Sequence, residues 1–221
     1  MCSYAQNFED VTLRRAFRDI DKGFYVDIGS YHPRMHSVTK YFYDRGWSGL
    51  NVEPNPALLE RFVAERPNDT NIGVAVGGKE SEIDLYIIGN TGLTTTIESI
   101  ASGHAAAGYA TTGVVRVKML MLETLFEKYC RDRTIDFLKI DVEGAESDVI
   151  RPCKFENYRP RIILAENSSG YHEDLLSKGY AFCWFDGLNR WFVRQEDDWR
   201  CDLVARPPSV WDRISNLTPI E

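Results

Sequence analysis

The stretch that decides the fold is FYVDIGSYHP, residues 24–33. Its first five residues are apolar or aromatic except for Asp27, and a single glycine, Gly29, follows them. An apolar run of this length that stops at a glycine is typical of a strand buried on both faces of a parallel sheet. A carboxylate inside the end of such a strand is costly unless it has a partner or a ligand. The stretch therefore predicts a binding site at the end of this strand, and His32 adds a second polar side chain beside it.

Strands and helices alternate on the C-terminal side of this stretch. Apolar strands are predicted at residues 48–54, 71–77, 114–120, 135–146 (running into a turn) and 161–167, with an alternating edge strand at 81–88. The strands at 180–186 and 189–194 are too close together for a crossover helix, which predicts an antiparallel edge hairpin. The whole pattern indicates an α/β fold with a doubly wound, mostly parallel sheet.

Composition narrows the classes of function. The chain has 221 residues, of which 43% are hydrophobic, enough for one core in a single domain over residues 1–221. The net charge of -7 argues against nucleic acid as the main partner, because phosphate binding needs clustered lysines and arginines. No apolar run approaches the ~20 residues that span a membrane, and the N-terminus lacks the core of a signal peptide. We therefore expect a soluble, cytoplasmic protein.

The cysteines indicate reduced thiols. Their number is odd, and no two are spaced as a Cys-x-x-Cys pair, which argues against a disulfide framework and against a zinc site. They are Cys2, Cys130, Cys153, Cys183 and Cys201.

Residues 89–113 form a long span with no strong hydrophobic period, rich in glycine, alanine and threonine. Loops longer than about 12–15 residues are uncommon in compact domains unless they are functional or disordered. We predict a lid over the substrate, in which Thr94, Thr95 and Thr96 hydrogen-bond a sugar or a cofactor carboxylate. A flexible loop with no part in binding is the alternative.

Acidic residues stand at the carboxyl ends of four predicted strands: Asp27, Glu53, Asp141 and Glu166. In a parallel sheet these ends share one edge, and ligands bind there. Glu53 is placed to accept hydrogen bonds from the ribose hydroxyls of an adenosine cofactor. The turn after Gly29 lacks the further glycines that a pyrophosphate needs, which counts against a nicotinamide cofactor. S-adenosylmethionine has no phosphate and a cationic amino-acid tail that suits Asp27; the alternative is a carboxylate that braces the loop backbone.

Four motifs in this order resemble the FkbM-type methyltransferases. They are SYAQNFED (3–10), GFYVDIGSYHP (23–33), FYDRGWSGLNVEPNP (42–56) and IDFLKIDVEGAE (135–146), and the resemblance spans roughly residues 3–195. It implies a Rossmann-like, seven-stranded sheet of the class I methyltransferase type and an S-adenosylmethionine-dependent O-methyltransferase.

The tail resembles the branch of the family that is found in bacterial polysaccharide gene sets. The segments concerned are FDGLNRWFV (185–193) and RPPSVWD (206–212). This resemblance implies polysaccharide biosynthesis, a sugar hydroxyl as acceptor, and a glycosyltransferase module or partner, to which residues 196–221 can lead as a linker.

The resemblance also implies a cofactor pocket. Its residues would be Tyr4, Gln6, Asp10, Asp27, Gly29, Ser30, Glu53, Asn55, Ala75 and Asp141. The helix predicted within residues 1–22 would close over this pocket, although exposed polar residues of a helix would explain Gln6 and Asp10 as well.

Methyl transfer to an alcohol requires a group that takes up the hydroxyl proton. Asp141, Glu166 and His32 are the candidate catalytic bases, although a histidine before a proline equally suits a loop residue bonded to the backbone. Asp141, Glu166 and Asn167 also resemble the magnesium site of catechol O-methyltransferase-like enzymes, and oxygen ligands of this kind suit Mg²⁺. Two acids at neighbouring strand ends can equally serve as base and orienting group without a metal, and Lys139 can pair with them.

The sequence therefore predicts an S-adenosylmethionine-dependent O-methyltransferase that acts on a hydroxyl of a sugar or glycan precursor. Two alternatives stay open: an NAD-dependent oxidoreductase, and a catalytically silent module that binds S-adenosylmethionine or a glycan.

Overall fold

The computed structural model describes residues 2–89, 91–168, 170–214 and 216–217. Its strands are β1 (Cys2–Ser3), β2 (Phe24–Ile28), β3 (Ser48–Val52), β4 (Thr70–Ile72), β5 (Ala75–Val76), β6 (Ser81–Ile87), β7 (Gly113–Leu120), β8 (Phe137–Ile140), β9 (Ile162–Glu166), β10 (Tyr180–Phe185), β11 (Asn189–Arg194) and β12 (Asn216–Leu217). Its α-helices are α1 (Glu9–Ala16), α2 (Lys40–Tyr43), α3 (Pro56–Glu65), α4 (Glu98–Ala106), α5 (Leu122–Tyr129), α6 (Glu146–Ile150), α7 (His172–Ser177) and α8 (Cys201–Val204). Two 3-10 segments cover Gln195–Arg200 and Val210–Asp212. Within the ranges described here, no helix is long and apolar enough to cross a membrane.

The main sheet is large and mostly parallel, as the sequence predicts. Its strand order is β10-β11-β9-β8-β2-β3-β4. The strands from β9 to β4 in this order run parallel, and β11 and β10 extend the sheet as the predicted antiparallel hairpin. The chain proceeds from β2 outwards in one direction and from β8 outwards in the other, so strand order reverses between these two strands. Such a reversal opens a crevice at the carboxyl ends of the two strands.

Both faces of this sheet are covered, because side chains alternate between two cores along each strand. Val26 and Ile28 of β2 and Leu138 of β8 belong to one core, which α5, α6 and α7 complete. Tyr25 and Phe137 belong to the other core, to which α1 contributes. Burial on both sides explains why these strands read as continuous apolar runs.

Residues 71–77 do not form the single strand that the sequence predicts. β4 ends at Ile72, and β5 pairs instead with β7 in a second sheet of order β5-β7-β6. The break falls at Gly73, where a side chain would overlap Leu59 of α3. Along β7 more buried and more exposed residues alternate, as expected of a sheet with one solvated face.

Residues 89–113 contain regular structure that the sequence does not reveal. Their middle forms α4, and Thr95 pairs with Tyr86 of β6 as an isolated bridge. Alanine, the best helix former, supplies much of the composition that led us to expect an irregular loop. The span is therefore a helical excursion between β6 and β7, and its action as a lid stays a prediction.

The expectation of reduced thiols is wrong for two cysteines. Cys183 of β10 and Cys201 at the start of α8 form a disulfide, with their Cα atoms 5.2 Å apart. Cys2, Cys130 and Cys153 are free thiols, and the last two are buried. The pairing arises because the chain after β11 folds back so that α8 packs against β10 and α1. The spacing of Cys183 and Cys201 in the sequence does not indicate this disulfide.

Loss of this disulfide is expected to lower the free energy of unfolding by about 2–4 kcal/mol, because the bond restricts the unfolded chain. Denaturant titrations of the wild type with and without reductant, and of Cys201→Ser, measure the change. The variant should unfold at the midpoint of the reduced wild type and should not respond to reductant. A reductant-independent midpoint in the wild type would contradict this expectation.

Candidate functional site

A cavity of about 400 Å³ opens at the carboxyl ends of β2, β3, β8 and β9, beside the reversal of strand order. Parallel α/β sheets bind ligands at this edge, and the volume lies in the range of small-molecule sites. Residues of β5 and β6 and the segment 91–96 complete the lining. The lining residues that the sequence singled out are Gln6, Gly29, Glu53, Ala75, Thr94, Thr96, Lys139, Asp141 and Glu166.

The turn after β2 requires Gly29. Its φ of +73° favours glycine, and a side chain there would overlap the carbonyl oxygen of Asp141. The Gly29 amide donates to the carbonyl of Val52 at 3.0 Å, and the Asp141 amide donates to the carbonyl of Ile28 at 3.0 Å. These contacts lock the ends of β2, β3 and β8 together, so the cavity has a fixed floor.

Glu53 ends β3 with its carboxylate on the cavity wall. The side chain is only 5% exposed, and its two oxygens accept the backbone N–H groups of Tyr31 at 2.9 Å and Asn55 at 2.8 Å. Burial raises the pKa of Glu53 to about 7, against the lowering effect of these two hydrogen bonds. Asn55 caps α3 by accepting from the amide of Ala57 at 3.1 Å, which fixes the direction in which the chain leaves Glu53.

Asp27 and Ser30 lie beneath the turn and are not among the described residues that line the cavity. Ser30 Oγ donates to the carbonyl of Asp27 at 2.8 Å. Asp27 is 1% exposed, and burial raises its pKa, opposed by the nearby charge of Lys139. The structure thus brings Asp27 to the expected strand end but points its carboxylate into the interior.

Three carboxylates converge at the ends of β8 and β9. Oxygen atoms of Asp141, Glu143 and Glu166 lie within 4.8 Å of one another. Burial, and then repulsion from Asp141, raises the pKa of Glu143 and of Glu166 to about 8. Lys139 Nζ lies 3.2 Å from Asp141 Oδ2 and opposes this concentration of negative charge. Glu146, fully buried, accepts from the amides of Val142 and Gly144 at 3.0 and 3.2 Å, which shapes the turn that carries Glu143.

The oxygen ligands that suit Mg²⁺ are therefore available, but from a different set of residues than the sequence predicts. Asn167 Oδ1 accepts from Arg190 Nε at 2.6 Å, and Asn167 is not among the described lining residues. Glu143 takes its place beside Asp141 and Glu166. The sequence places Glu143 on the turn after β8 but gives no sign that its side chain turns towards β9.

His32 lies away from the cavity lining in the described part of the chain. Its Nδ1 accepts from the amides of Arg34 and Met35, each at 3.1 Å, and its Nε2 lies 3.0 Å from Arg61 Nη1. Burial and the charge of Arg61 lower the pKa of His32. This geometry favours the alternative of a loop residue bonded to backbone over that of a catalytic base.

The N-terminal segment contributes one side chain to the cavity. Gln6 lines it, whereas Tyr4 and Asp10 are not among the described residues that do so. Asp10 accepts from Ser3 Oγ at 2.7 Å and from the amide of Tyr4 at 2.8 Å, so it holds the segment on to α1. Glu9 is buried and accepts from Asn189 Nδ2 of β11 at 2.9 Å, a contact that no sequence pattern indicates. The two acids thus anchor the chain on either side of Gln6.

Segment 91–96 reaches the acidic cluster through Thr95. Its Oγ1 donates to the carbonyl of Glu143 at 3.1 Å, while Thr94 and Thr96 line the cavity. Tyr31 and His36 also line it, and sequence reasoning missed both. Both have positive φ values, 57° and 53°, which turn the side chains in a direction that no sequence pattern foretells.

A model of a known protein family matches this chain. No curated protein and no solved structure gives a significant match. The model of the methyltransferase FkbM domain matches residues 27–181, which run from the end of β2 to the start of β10 and include the Gly29 turn, Glu53 and the acidic cluster. This match covers more than half of the sequence. The chain therefore belongs to the FkbM methyltransferase family.

Proposed function

We propose that this protein transfers a methyl group from S-adenosylmethionine to a hydroxyl of a sugar or glycan precursor. One observation carries the proposal: a cavity at the strand-order reversal has Glu53 on one wall and the carboxylates of Asp141 and Glu166 on another. The first wall suits a ribose, and the second suits a group that loses a proton. The family match supports methyl transfer as the reaction.

The residues present fit an S-adenosyl cofactor better than a dinucleotide. Gly29 lines the cavity with backbone alone, and Ala75 offers an apolar surface of the kind that packs against an adenine. After Gly29 the chain does not enter a helix until Lys40, so the turn presents no helix N-terminus to a pyrophosphate. Glu53 would hold the ribose, with Gln6 and Gly29 at the tail of the cofactor.

The bound cofactor would supply an electrophilic methyl group. The chain's own contribution is to align the acceptor oxygen and to take its proton. Asp141 is the proposed proton acceptor, because its carboxylate lines the cavity at the end of β8 and lies 3.2 Å from the Lys139 ammonium group, which fixes its position. If Mg²⁺ binds, the same three carboxylates would hold it, and it would stabilise the ionised form of the acceptor hydroxyl.

A sugar acceptor is supported by polar groups on segment 91–96 and in the acidic cluster. Thr94 and Thr96 present hydroxyl groups, and the acidic cluster accepts hydrogen bonds. The resemblance of residues 206–212 to the polysaccharide-associated branch favours a glycan precursor and a glycosyltransferase partner.

Calorimetric titration with S-adenosylmethionine, S-adenosylhomocysteine and NAD in parallel tests the cofactor. Binding of the S-adenosyl ligands alone is expected. A screen of sugar acceptors, run with EDTA and with Mg²⁺, then tests methyl transfer. Binding of NAD would favour the oxidoreductase, and cofactor binding without turnover on any acceptor would favour the silent module.

The affinity for S-adenosylhomocysteine is expected to rise about tenfold between pH 6 and pH 8. Only the ionised Glu53 accepts two hydroxyl hydrogen bonds, and its pKa of about 7 lies within this interval. Below that pKa the carboxyl group is protonated, so binding weakens as pH falls. The same titration on Glu53→Gln should show no such rise; a rise that persists in the variant would assign it to another group.

A further inference from the structure

Asp27 and Lys139 are paired side by side at the floor of the cavity. They are Cα partners in the register of β2 and β8, so both side chains leave the sheet on the same face. Lys139 Nζ lies 3.7 Å from Asp27 Oδ1, and the two side chains are 9% and 2% exposed. A charge this deeply buried is strongly destabilising when its partner is removed.

Asp27 is also held from a second side. Thr39 Oγ1 donates to Asp27 Oδ2 at 3.3 Å, and Arg66 Nη1 donates to Thr39 Oγ1 at 2.9 Å. Arg66 is fully buried and also donates to Ser37 Oγ at 2.7 Å. None of these residues is among the described residues that line the cavity. Asp27 is therefore fixed within a buried network and does not face the ligand space.

Lys139 is the member of the pair that reaches the cavity. Its ammonium group donates to the carbonyl of Gly29 at 3.0 Å and lies 3.2 Å from Asp141 Oδ2. Asp27 Oδ1, at 3.7 Å, lies beyond hydrogen-bond distance and contributes the charge of an ion pair. One partner belongs to the turn after β2 and another to the acid after β8. Lys139 thus joins the cofactor end of the proposed site to its proton acceptor.

We propose that Asp27 acts on the cavity only through Lys139, and that Lys139 is the positioning residue that holds the Gly29 turn against Asp141. The proposal replaces the direct contact between Asp27 and the cofactor's amino-acid tail that the sequence predicts. It rests on the proposed function for the identity of the ligand. Without Lys139 the Gly29 carbonyl and the Asp141 carboxylate lose their shared donor. Without Asp27 the ammonium group loses its buried counter-ion and keeps only Asp141, which is one-third exposed.

A double-mutant cycle on the affinity for S-adenosylhomocysteine distinguishes direct contact of Asp27 with the ligand from action through Lys139. Asp27→Asn is expected to weaken binding about tenfold and Lys139→Met about 30-fold, within the range of coupled neighbours. The double variant should bind within about twofold of Lys139→Met, since Asp27 has no further route to the ligand. A renewed tenfold loss in the Lys139→Met background would show that Asp27 contacts the ligand and would overturn the proposal.

Amide hydrogen exchange gives a second readout that needs no ligand. The amides of Gly29 and Ser30 donate to the carbonyl of Val52 at 3.0 and 3.2 Å, and that of Asp141 donates to Ile28. Relative to the amides of β9, exchange at these three amides is expected to rise at least about tenfold in both single variants and in the double variant. Lys79→Met, which replaces an exposed lysine outside the cavity lining, should leave the exchange unchanged.

The double variant is decisive, because it removes both buried charges and should regain the thermal stability that Lys139→Met loses by leaving Asp27 buried without its cation. A double variant that is stable but keeps fast exchange at the turn supports positioning. If the double variant regains both stability and slow exchange at the turn, Asp27 and Lys139 only neutralise each other's charge, and the proposal is overturned. A wild-type protein that binds no S-adenosylhomocysteine would refute the proposed function and still leave the exchange experiment decisive.

Discussion

Replacing Glu53 with alanine is expected to weaken the binding of S-adenosylhomocysteine by at least about 100-fold. The carboxylate would accept two ribose hydroxyls, and hydrogen bonds to a charged group contribute about 1.5–3 kcal/mol each. The substitution also removes the acceptor for the amides of Tyr31 and Asn55, which shape the wall on both sides of the ribose position. Isothermal calorimetry at pH 8, where Glu53 is ionised, measures the full effect.

Two further variants make the result specific. Glu60→Ala removes an exposed acid from α3, and binding should be unchanged. Glu53→Gln keeps the shape of the side chain and one acceptor oxygen, so its loss should be smaller than that of Glu53→Ala. Equal affinity in Glu53→Ala and the wild type would place the ribose elsewhere and remove the main support for an adenosine cofactor.

The sequence predicts which acidic residues meet at the site, because it predicts a parallel sheet. Alternating strands and helices predict that Glu53, Asp141 and Glu166 end at one edge of a sheet, and all three line the cavity. The single Gly29 likewise predicts a tight turn, which the structure shows pressed against the backbone of Asp141.

The direction of the Asp27 side chain could not be predicted. In a strand with one solvated face, alternation of polar and apolar residues identifies the inner side. Every residue of β2 is buried, so this strand has no such alternation. The sequence therefore does not show that Val26 and Tyr25 enter different cores. Asp27 shares the face of Tyr25, and only the packing of Lys139 and Thr39 on that face decides what the carboxylate meets.

Contacts between segments that are distant in sequence could not be predicted either. The disulfide joins a strand to a short helix 18 residues later, and its formation depends on how α8 packs against α1 and β10. Glu143 joins the acidic cluster only because its backbone adopts a φ of 52° before Gly144. Neither the fold-back of a tail nor a single left-handed residue leaves a periodic signal in sequence.

Replacing Asp141 with asparagine is expected to lower the rate of methyl transfer by about 10²–10⁴-fold, the usual contribution of a positioned base. Asparagine keeps the shape of the side chain and can still contact the Lys139 ammonium group, but it cannot take a proton. The Asp141 amide and carbonyl, which lock the Gly29 turn, are unaffected by the substitution.

The loss should therefore fall on kcat, while the affinity for S-adenosylhomocysteine changes by less than about tenfold. Asp148→Asn, an exposed acid on α6, is the matched control and should leave kcat unchanged. Rates measured in EDTA and in Mg²⁺ distinguish two roles for the same carboxylate: a base acts in both media, whereas a metal ligand matters only when the cation is present. Full activity of Asp141→Asn would exclude Asp141 as the proton acceptor and point to Glu166, the other predicted base that lines the cavity.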